Sequence, residues 1–380
     1  MKLRQQPSDF IVEEIPSRTP EKEGRYCLYL LEKRSMETVA LIKSIARKHT
    51  IPITDFGVAG LKDRHAVSKQ YITLPKEKKV EDIKENNFSL TFLGYTDAPL
   101  KIGDLRGNKF EVTVRDIAEK DLSEILERVQ QIPHGVPNYF DSQRFGSVIE
   151  KKFIAKEVMR KNHEEAVKLF LTGYSRHETA VVKQEKRRVK QQWEKFGTLT
   201  LANTLFRRIQ SAYAKNKSWK DAYKKILLNL RQMFVAAYQS YVWNECIKLI
   251  VEKQCPELIS VPYKVGELSF YKTLSDDQKK NIPKKFPLIT HQIKLSEAEQ
   301  PVVAEVLKKE SLTRADFDIK NDSGTFFKPG ERPVLVTPRD FSMTKPVLDE
   351  LNAAKYKTTL SFTLPKGSYA TIITKRIFLQ

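Results

Sequence analysis

One acid stands alone in a short segment that is otherwise basic. The stretch GVAGLKDRHAVSKQ, residues 57–70, contains Asp63 as its one acid, beside Lys62, Arg64 and His65. A carboxylate in such a place can act as a nucleophile or stabilise positive charge at a reacting carbon. An exposed acid in a basic loop is also commonly half of a surface ion pair, worth about 0–1 kcal/mol. The segment alone leaves both interpretations open.

A second segment, GVPNYFDSQRFG at residues 135–146, combines an amide with two aromatic rings. The Asn138 amide has both donors and acceptors, so it can pair with the edge of a uracil. Tyr139 and Phe140 offer flat faces, and a base stacked on an aromatic ring gains about 1–3 kcal/mol. Aromatic residues in such a run are also common in protein cores, so this segment too has two interpretations.

Other kinds of catalytic site have little support in the sequence. Gly57, Gly60 and Lys62 do not follow the spacing of a phosphate-binding loop, and a strand is predicted after them where that motif needs a helix. The six histidines include no H-E-x-x-H pair and none lies beside a cysteine cluster. We therefore expect no nucleotide-triphosphate site, no metal and no cofactor.

The charge balance favours a polyanionic partner. Lysine and arginine total 67 against 47 acidic residues, which gives a formal net charge of +20 over 380 residues. A lysine-rich proteome would also produce such a balance. A basic run at residues 186–190 could follow a nucleic-acid backbone, and solvated helix faces explain it equally well.

Cysteine use and the N-terminus indicate a protein of the reducing cytoplasm. The three cysteines are scattered and form no C-x-x-C pair, which does not suggest a disulfide framework. The first residues, MKLRQQPSDF, lack the apolar segment of a signal peptide. No run approaches the roughly 18 apolar residues that span a bilayer, so we expect neither secretion nor membrane insertion.

The predicted elements divide the chain into three parts. Strand patterns occur in FIVEEI, YCLYLL, FSLTFLGY and KFEVTVR, and a helix is predicted from an N-cap at Ser35 to about Lys48. Asp63 falls in a loop between two strands. After Gly146 the chain becomes lysine-rich, and helices are predicted in three stretches, EKKFIAKEVMRKNHEEAVKLFL, HETAVVKQEKRRVKQQWEKF and WKDAYKKILLNLRQMFVAAYQSYVWNECIKLIVEK. Strand patterns return in RPVLVTP and TTLSFTLPKGSYATIIT. A β-rich core split by a helix-rich insertion is the simplest arrangement.

Five segments in chain order resemble the TruD family of pseudouridine synthases, which isomerise uridine in tRNA. They are PSDFIVEE, AGLKDRHAVSKQ, GNKFEVTVR, GVPNYFDSQRFG and LPKGSYATIITK. The resemblance covers nearly the whole chain and is weakest in the middle third. It implies an α+β protein with the pseudouridine synthase fold, a mixed and largely antiparallel sheet flanked by helices, interrupted by a helix-rich insertion. We place the catalytic domain at 1–156 and 336–380 and the TRUD insertion domain at 157–335.

The resemblance also implies the residues of an active site. Asp63 would be the catalytic aspartate, and Arg4 stands where the family carries a basic partner, often lysine. Ser68 and Tyr369 depart mildly from the family, which commonly has threonine and phenylalanine there. The residues that we expect to bind the substrate are Phe10, Lys62, His65, Asn138, Phe140 and Tyr369.

Conversion of uridine to pseudouridine breaks the N1–C1′ bond, turns the uracil and joins its C5 to the same sugar carbon. No atom is gained or lost, so the reaction needs no cofactor. The aspartate could attack C1′, add to the base, or remove a sugar proton to give a glycal, and the sequence leaves these routes open. We expect a monomer that acts on tRNA, at uridine 13, with the target base flipped out.

Two other classes of function remain as alternatives. A non-catalytic RNA-binding or RNA-remodelling protein could retain the same fold and would tolerate Asp63→Asn. A nucleoside hydrolase or glycosylase could use the same acid and would release free uracil. A hydrolase needs a second carboxylate to activate water, and residues 57–70 contain only Asp63 as an acid.

Overall fold

The computed structural model describes residues 1–174 and 178–379, which form two compact units. Residues 1–135 and 336–378 make up the sheet unit, and residues 136–335 make up the helical unit. His177, the first residue of one predicted helical stretch, lies outside the described residues. The assignment of residues 157–335 to an insertion domain stays a prediction.

The longest strands lie in the sheet unit. In chain order the strands are β1 Lys2–Leu3, β2 Phe10–Pro16, β3 Tyr26–Arg34, β4 Gly57–Val58, β5 Val67–Pro75, β6 Ile83–Lys84, β7 Phe88–Thr96, β8 Leu105–Ile117, β9 Val136–Pro137, β10 Leu258–Tyr263, β11 Gly266–Tyr271, β12 Lys285–Pro287, β13 Glu331–Pro333, β14 Leu335–Val336, β15 Arg339–Met343, β16 Val347–Leu348 and β17 Tyr356–Pro365. The longest are β3, β5, β7, β8 and β17.

The α-helices lie mainly in the helical unit. In chain order they are α1 Thr38–Lys48, α2 Leu122–Gln130, α3 Ile154–Met159, α4 His163–Thr172, α5 Ala180–Gln191, α6 Thr204–Asn216, α7 Trp219–Lys224, α8 Leu228–Gln254, α9 Asp276–Asn281, α10 Glu299–Lys309, α11 Lys320–Ser323 and α12 Ala370–Phe378.

The sheet unit is built on one mixed sheet, which has eleven strands within the described residues. The main order is β15-β17-β8-β2-β5-β3-β7-β6, with β1 beside β8, β16 beside β17 and β4 beside β5. Strands β2 and β5 pair in parallel, with Ile11 opposite Val67, and the other assigned pairs of this sheet are antiparallel. Both β2 and β5 therefore begin at the same edge of the sheet.

Alternation of apolar residues explains these strands. In β8, Phe110, Val112 and Val114 are buried on one face, as their spacing predicts. Helix α1 covers the sheet with its apolar stripe, which packs against buried residues of β3 and β5. The predicted cap at Ser35 is wrong, because Ser35 adopts a left-handed backbone with φ 55° and the helix begins at Thr38.

The helical unit is organised around α8, a helix of 27 residues. It contacts α3, α10 and β11, and it buries residues on several sides, as expected of a core helix. The first predicted helical stretch is divided into α3 and α4 at Lys161, whose φ is 60°. The last of these stretches is likewise divided, into α7 and α8.

The C-terminal strand pattern is only half correct. The first part forms β17, which pairs with β8 from Tyr356 to Pro365. After a turn at Gly367, where φ is 84°, the residues of ATIITKRIF form the buried helix α12, which contacts α2. Packing of α12 thus overrides the β preference of its isoleucines and threonines.

Candidate active site

The loop that carries Asp63 runs between β4 and β5 without regular secondary structure. Instead, buried side chains from neighbouring elements form hydrogen bonds with the main-chain groups of the loop. The Lys62 N–H donates to Thr38 Oγ1 at 3.3 Å, and Thr38 Oγ1 donates to Gln70 Oε1 at 2.9 Å. Lys33 Nζ donates to the Asp63 main-chain oxygen at 2.9 Å. These bonds fix the course of the loop, because buried main-chain groups must be paired.

Asp63 and Arg4 form a close, partly exposed ion pair. Arg4 Nη1 donates to Asp63 Oδ2 at 2.6 Å, and the Arg64 N–H donates to Asp63 Oδ1 at 3.1 Å. The side chains of Arg4 and Asp63 are 22% and 32% exposed, respectively. The Arg4 guanidinium also lies over the Phe10 ring, 4.1 Å from its centroid. The structure therefore brings together three residues that the sequence predicts to share a site.

A second set of contacts holds the turn that presents Arg4. Arg4 has φ 59°, a left-handed conformation that is strained for a residue with a Cβ. Beyond it, the Gln6 N–H donates to Asp9 Oδ2 at 2.9 Å, and Asp9 Oδ1 accepts from Arg115 Nε at 2.8 Å. Asp9 and Arg115 are both almost fully buried. The strained turn is thus held by a buried ion pair.

Lys62 lies in an ion pair beneath the loop. Its Nζ is 2.7 Å from Glu14 Oε2, and the side chains are only 7% and 0% exposed, respectively. The ammonium is directed to a buried carboxylate, so its predicted role in substrate binding stays a prediction. His65, in contrast, is exposed at the loop surface.

The remaining predicted residues of the sheet unit, Phe10 and Tyr369, lie at the start of a strand and just before a helix. Phe10 begins β2, is 5% exposed, and meets Phe110 edge-on with the ring centroids 6.0 Å apart. Tyr369 is half-buried and immediately precedes α12. Their contact with a base stays a prediction.

Asn138 and Phe140 belong to the helical unit, where Arg332 joins them. Arg332 Nη2 donates to Asn138 Oδ1 at 2.8 Å, and Asn138 Nδ2 donates to the Pro333 main-chain oxygen at 3.2 Å. The Arg332 guanidinium lies 4.1 Å from the centroid of the Phe140 ring. Between them, Tyr139 is fully buried and donates its hydroxyl to the Ser269 main-chain oxygen at 2.7 Å. Tyr139 is therefore a core residue.

The basic run of α5 is only partly available to a ligand. Lys186 is buried and donates to the Gly173 main-chain oxygen at 2.6 Å and to Glu178 at 3.0 Å. Arg187 is exposed and lies 5.4 Å from the ring centroid of Tyr174, which is itself 43% exposed. This end of α5 thus presents a cation and an aromatic ring to solvent.

Three residues that support the site, Lys33, Glu14 and Arg332, were not predicted from the sequence. For Lys33 a signal was present. Alternate residues of a strand face the same side, so Lys33 shares the buried face of β3 with Cys27, Tyr29 and Leu31. A lysine at an inward strand position requires a specific partner. For Arg332 the sequence contains no comparable signal.

Within residues 1–174 and 178–379, no group of three or more histidine, cysteine, aspartate or glutamate side chains is arranged to hold a metal ion. In the same part of the chain, no helix is both long and apolar enough to cross a membrane.

Comparison with known proteins identifies the class of fold and then the family. A solved structure of a Methanosarcina mazei protein assigned to tRNA pseudouridine synthase D is similar with a TM-score of 0.74 and 27% identity, covering 99% of this chain and 93% of that one. This confirms the predicted α+β pseudouridine synthase fold. The family model for tRNA pseudouridine synthase D (TruD) matches residues 1–377, and the chain belongs to that family.

Curated relatives are similar over nearly their full length. A protein of Methanocaldococcus jannaschii described as "Probable tRNA pseudouridine synthase D 2" is 43% identical over 100% of this chain and 92% of its own. The tRNA pseudouridine synthase D of Aquifex aeolicus is 31% identical over 100% of this chain and 98% of its own. The predicted enzyme class, a tRNA pseudouridine synthase, is thereby confirmed.

Proposed function

We propose that this enzyme isomerises uridine 13 of tRNA to pseudouridine, with Asp63 as the catalytic carboxylate and Arg4 as its paired cation. The observation that carries the proposal is the ion pair of 2.6 Å between them. Asp63 is exposed enough to meet a substrate, while its carboxylate is held in one orientation. Such fixed orientation is what a reacting group requires.

The ion pair suits the charge that develops during the reaction. Cleavage of the N1–C1′ bond builds positive charge on the sugar, which an adjacent carboxylate stabilises or traps. Arg4 holds one oxygen of Asp63, and the Arg64 N–H bonds to the other. Both contacts keep the carboxylate in place through attack on C1′, addition to the base, or removal of a sugar proton.

The surroundings of Asp63 favour isomerisation over hydrolysis. A hydrolase of the inverting type places a second carboxylate where it can activate water. Glu14, which contacts the residue next to Asp63, has a side chain that is 0% exposed and is neutralised by Lys62. It is therefore unsuited to activating water, and a detached uracil would rejoin the sugar instead of being replaced.

The target base would be flipped out of the tRNA to reach Asp63, which costs a few kcal/mol. We assign Phe10, Asn138, Phe140 and Tyr369 to contacts that offset this cost, as the family resemblance implies. The net charge of +20 supports binding to the phosphate backbone. The reaction conserves every atom, so we propose that it proceeds without metal or cofactor.

The experiment compares wild type, Asp63→Asn and a matched control on a tRNA transcript. Asp104→Asn is the control, because Asp104 also pairs with an arginine, Arg18, at 3.1 Å and its side chain is 31% exposed. We expect pseudouridine, mapped by carbodiimide labelling, from wild type and the control. Asp63→Asn should bind the tRNA with unchanged affinity and give no product.

The other outcomes identify the alternatives. Equal product from Asp63→Asn would overturn the catalytic assignment, and RNA binding without product by wild type would indicate a non-catalytic protein. Free uracil would reveal a glycosylase. A transcript with cytidine at position 13 should remain unmodified, and modification elsewhere would refute the proposed target.

A further inference from the structure

Lys33 places an ammonium group in the interior of the sheet unit, beside the loop that carries Asp63. The residue is 2% exposed. Its Nζ donates to the main-chain oxygens of Met36 at 2.8 Å and Asp63 at 2.9 Å. Both acceptors are neutral. Burial of a charged group is unfavourable unless the structure compensates for it, so this lysine requires an explanation beyond packing.

The register of the sheet accounts for its position. Lys33 lies opposite Ser68 where β3 pairs with β5, at the end of β5 that the Asp63 loop enters. Thr38 and Gln70 also support this loop, through Lys62 and Gly60, but both are uncharged. Of these three side chains that hydrogen-bond to the loop, Lys33 alone is charged, and it contacts Asp63 itself.

We propose that Lys33 is a positioning residue for Asp63, which it holds by the main chain while Arg4 holds the carboxylate. Asp63 is thereby hydrogen-bonded to two cations, to Lys33 through its main-chain oxygen and to Arg4 through its carboxylate. This inference rests on the proposed catalytic role of Asp63. The buried ammonium limits movement of the loop and adds a positive charge close to the carboxylate, as preorganisation of a reacting group requires.

The ionisable groups around Lys33 are Asp63 and Lys62 on the loop and Glu37 before α1. Burial lowers the pKa of Lys33 to about 8, the Asp63 carboxylate opposes this shift, and Lys62 adds to it. The charge of Lys33 is therefore present at neutral pH and is lost as the pH rises through about 8. Turnover by wild type should decline in the same range.

The test uses Lys33→Met, which removes the charge and the donors at similar volume, and Lys33→Gln, which retains an N–H donor. Lys186→Met is the matched control, because Lys186 is 4% exposed and also donates to a main-chain oxygen, that of Gly173. We expect kcat to fall about 10- to 100-fold in Lys33→Met and less in Lys33→Gln. KM for tRNA should stay within about twofold, since Lys33 is buried.

Two further readouts separate positioning from general support of the fold. The decline of kcat above pH 8 should disappear in both Lys33 variants. Amide hydrogen exchange of residues 60–65 should accelerate about tenfold or more in Lys33→Met, with no change in the control. This measurement needs no product, so it decides the inference even if wild type makes no pseudouridine and the proposed function fails.

Three results would overturn the inference. One is a kcat within twofold of wild type in either folded variant, and another is an unaltered alkaline decline. The third is unchanged exchange at residues 60–65. Should circular dichroism find Lys33→Met unfolded, Lys33→Gln is judged by the same measurements, since its side chain can still donate to one carbonyl.

Discussion

Removal of the Arg4 guanidinium is expected to slow turnover more than it weakens folding or RNA binding. Arg4 and Asp63 are 22% and 32% exposed, so their ion pair stabilises the fold by about 1 kcal/mol at most. A hydrogen bond to a charged group contributes about 1.5–3 kcal/mol when it must hold that group in place. Since each 1.36 kcal/mol is tenfold in rate, Arg4→Ala should lower kcat about 10- to 150-fold.

The substitution Arg4→Ala should leave the backbone strain at this position unchanged. The left-handed φ of 59° is comparably strained in arginine and alanine, because both have a Cβ. Arg4→Lys retains the charge without the planar guanidinium and should retain more activity than Arg4→Ala. Loss of the cation–π contact with Phe10 adds about 0.5–1 kcal/mol to the effect on stability.

The assay is release of tritium from tRNA labelled at C5 of uridine, because C5 loses its hydrogen when it bonds to C1′. We expect reduced kcat for Arg4→Ala with a dissociation constant for tRNA close to that of wild type. Arg18→Ala is the control, since Arg18 pairs with Asp104 at 3.1 Å and is 29% exposed. The reasoning is refuted if Arg4→Ala turns over like wild type, or if Arg18→Ala loses as much activity.

Three further predictions concern stability, and urea unfolding measures each. Lys62→Met should lower the free energy of unfolding by about 3–5 kcal/mol, because it leaves the buried Glu14 carboxylate without its cation. The double variant Lys62→Met/Glu14→Gln should recover part of this loss. An equal loss in both variants would contradict the explanation. Arg332→Met should cost about 1–3 kcal/mol, since the Asn138 oxygens that it bonds lose their donor; an unchanged midpoint would argue against this. Burial raises the pKa of Asp349, but its hydrogen bonds lower it further, from 3.8 to about 2. This carboxylate should therefore account for about 2 kcal/mol of the stability that wild type loses as the pH falls from 4 to 2, and Asp349→Asn should lose correspondingly less.

Much of the fold could be predicted because its signals are local. Alternating apolar residues identified β2, β3, β7 and β8, and the change of pattern after Gly146 indicated a helix-rich middle. The C-terminal helix α12 could not be read from its β-branched residues, since its helical state depends on burial against distant elements. The division of the first predicted helical stretch coincides with a left-handed residue, Lys161.

The candidate site was less accessible to sequence reasoning than the fold. The resemblance to a family brought Arg4 and Asp63 together, but nothing in their local sequences predicts the contact. The same holds for Lys33, whose bond to Asp63 depends on the register of β3 against β5. The bond of Arg332 to Asn138 joins residues 194 positions apart. Each of these contacts is fixed by tertiary structure.

The parallel pairing of β2 and β5 explains why residues 59 positions apart can share one ion pair. Arg4 precedes β2 and Asp63 precedes β5, so strands that begin at the same edge bring both residues to that edge. Were the two strands antiparallel, their starts would lie at opposite ends of β2, roughly 20 Å apart at about 3.3 Å per residue. Parallel strands need a crossover, and the chain between them forms β3, α1 and β4. That crossover supplies Lys33 and Thr38, so the segment that makes the parallel pairing possible also supports the loop of Asp63.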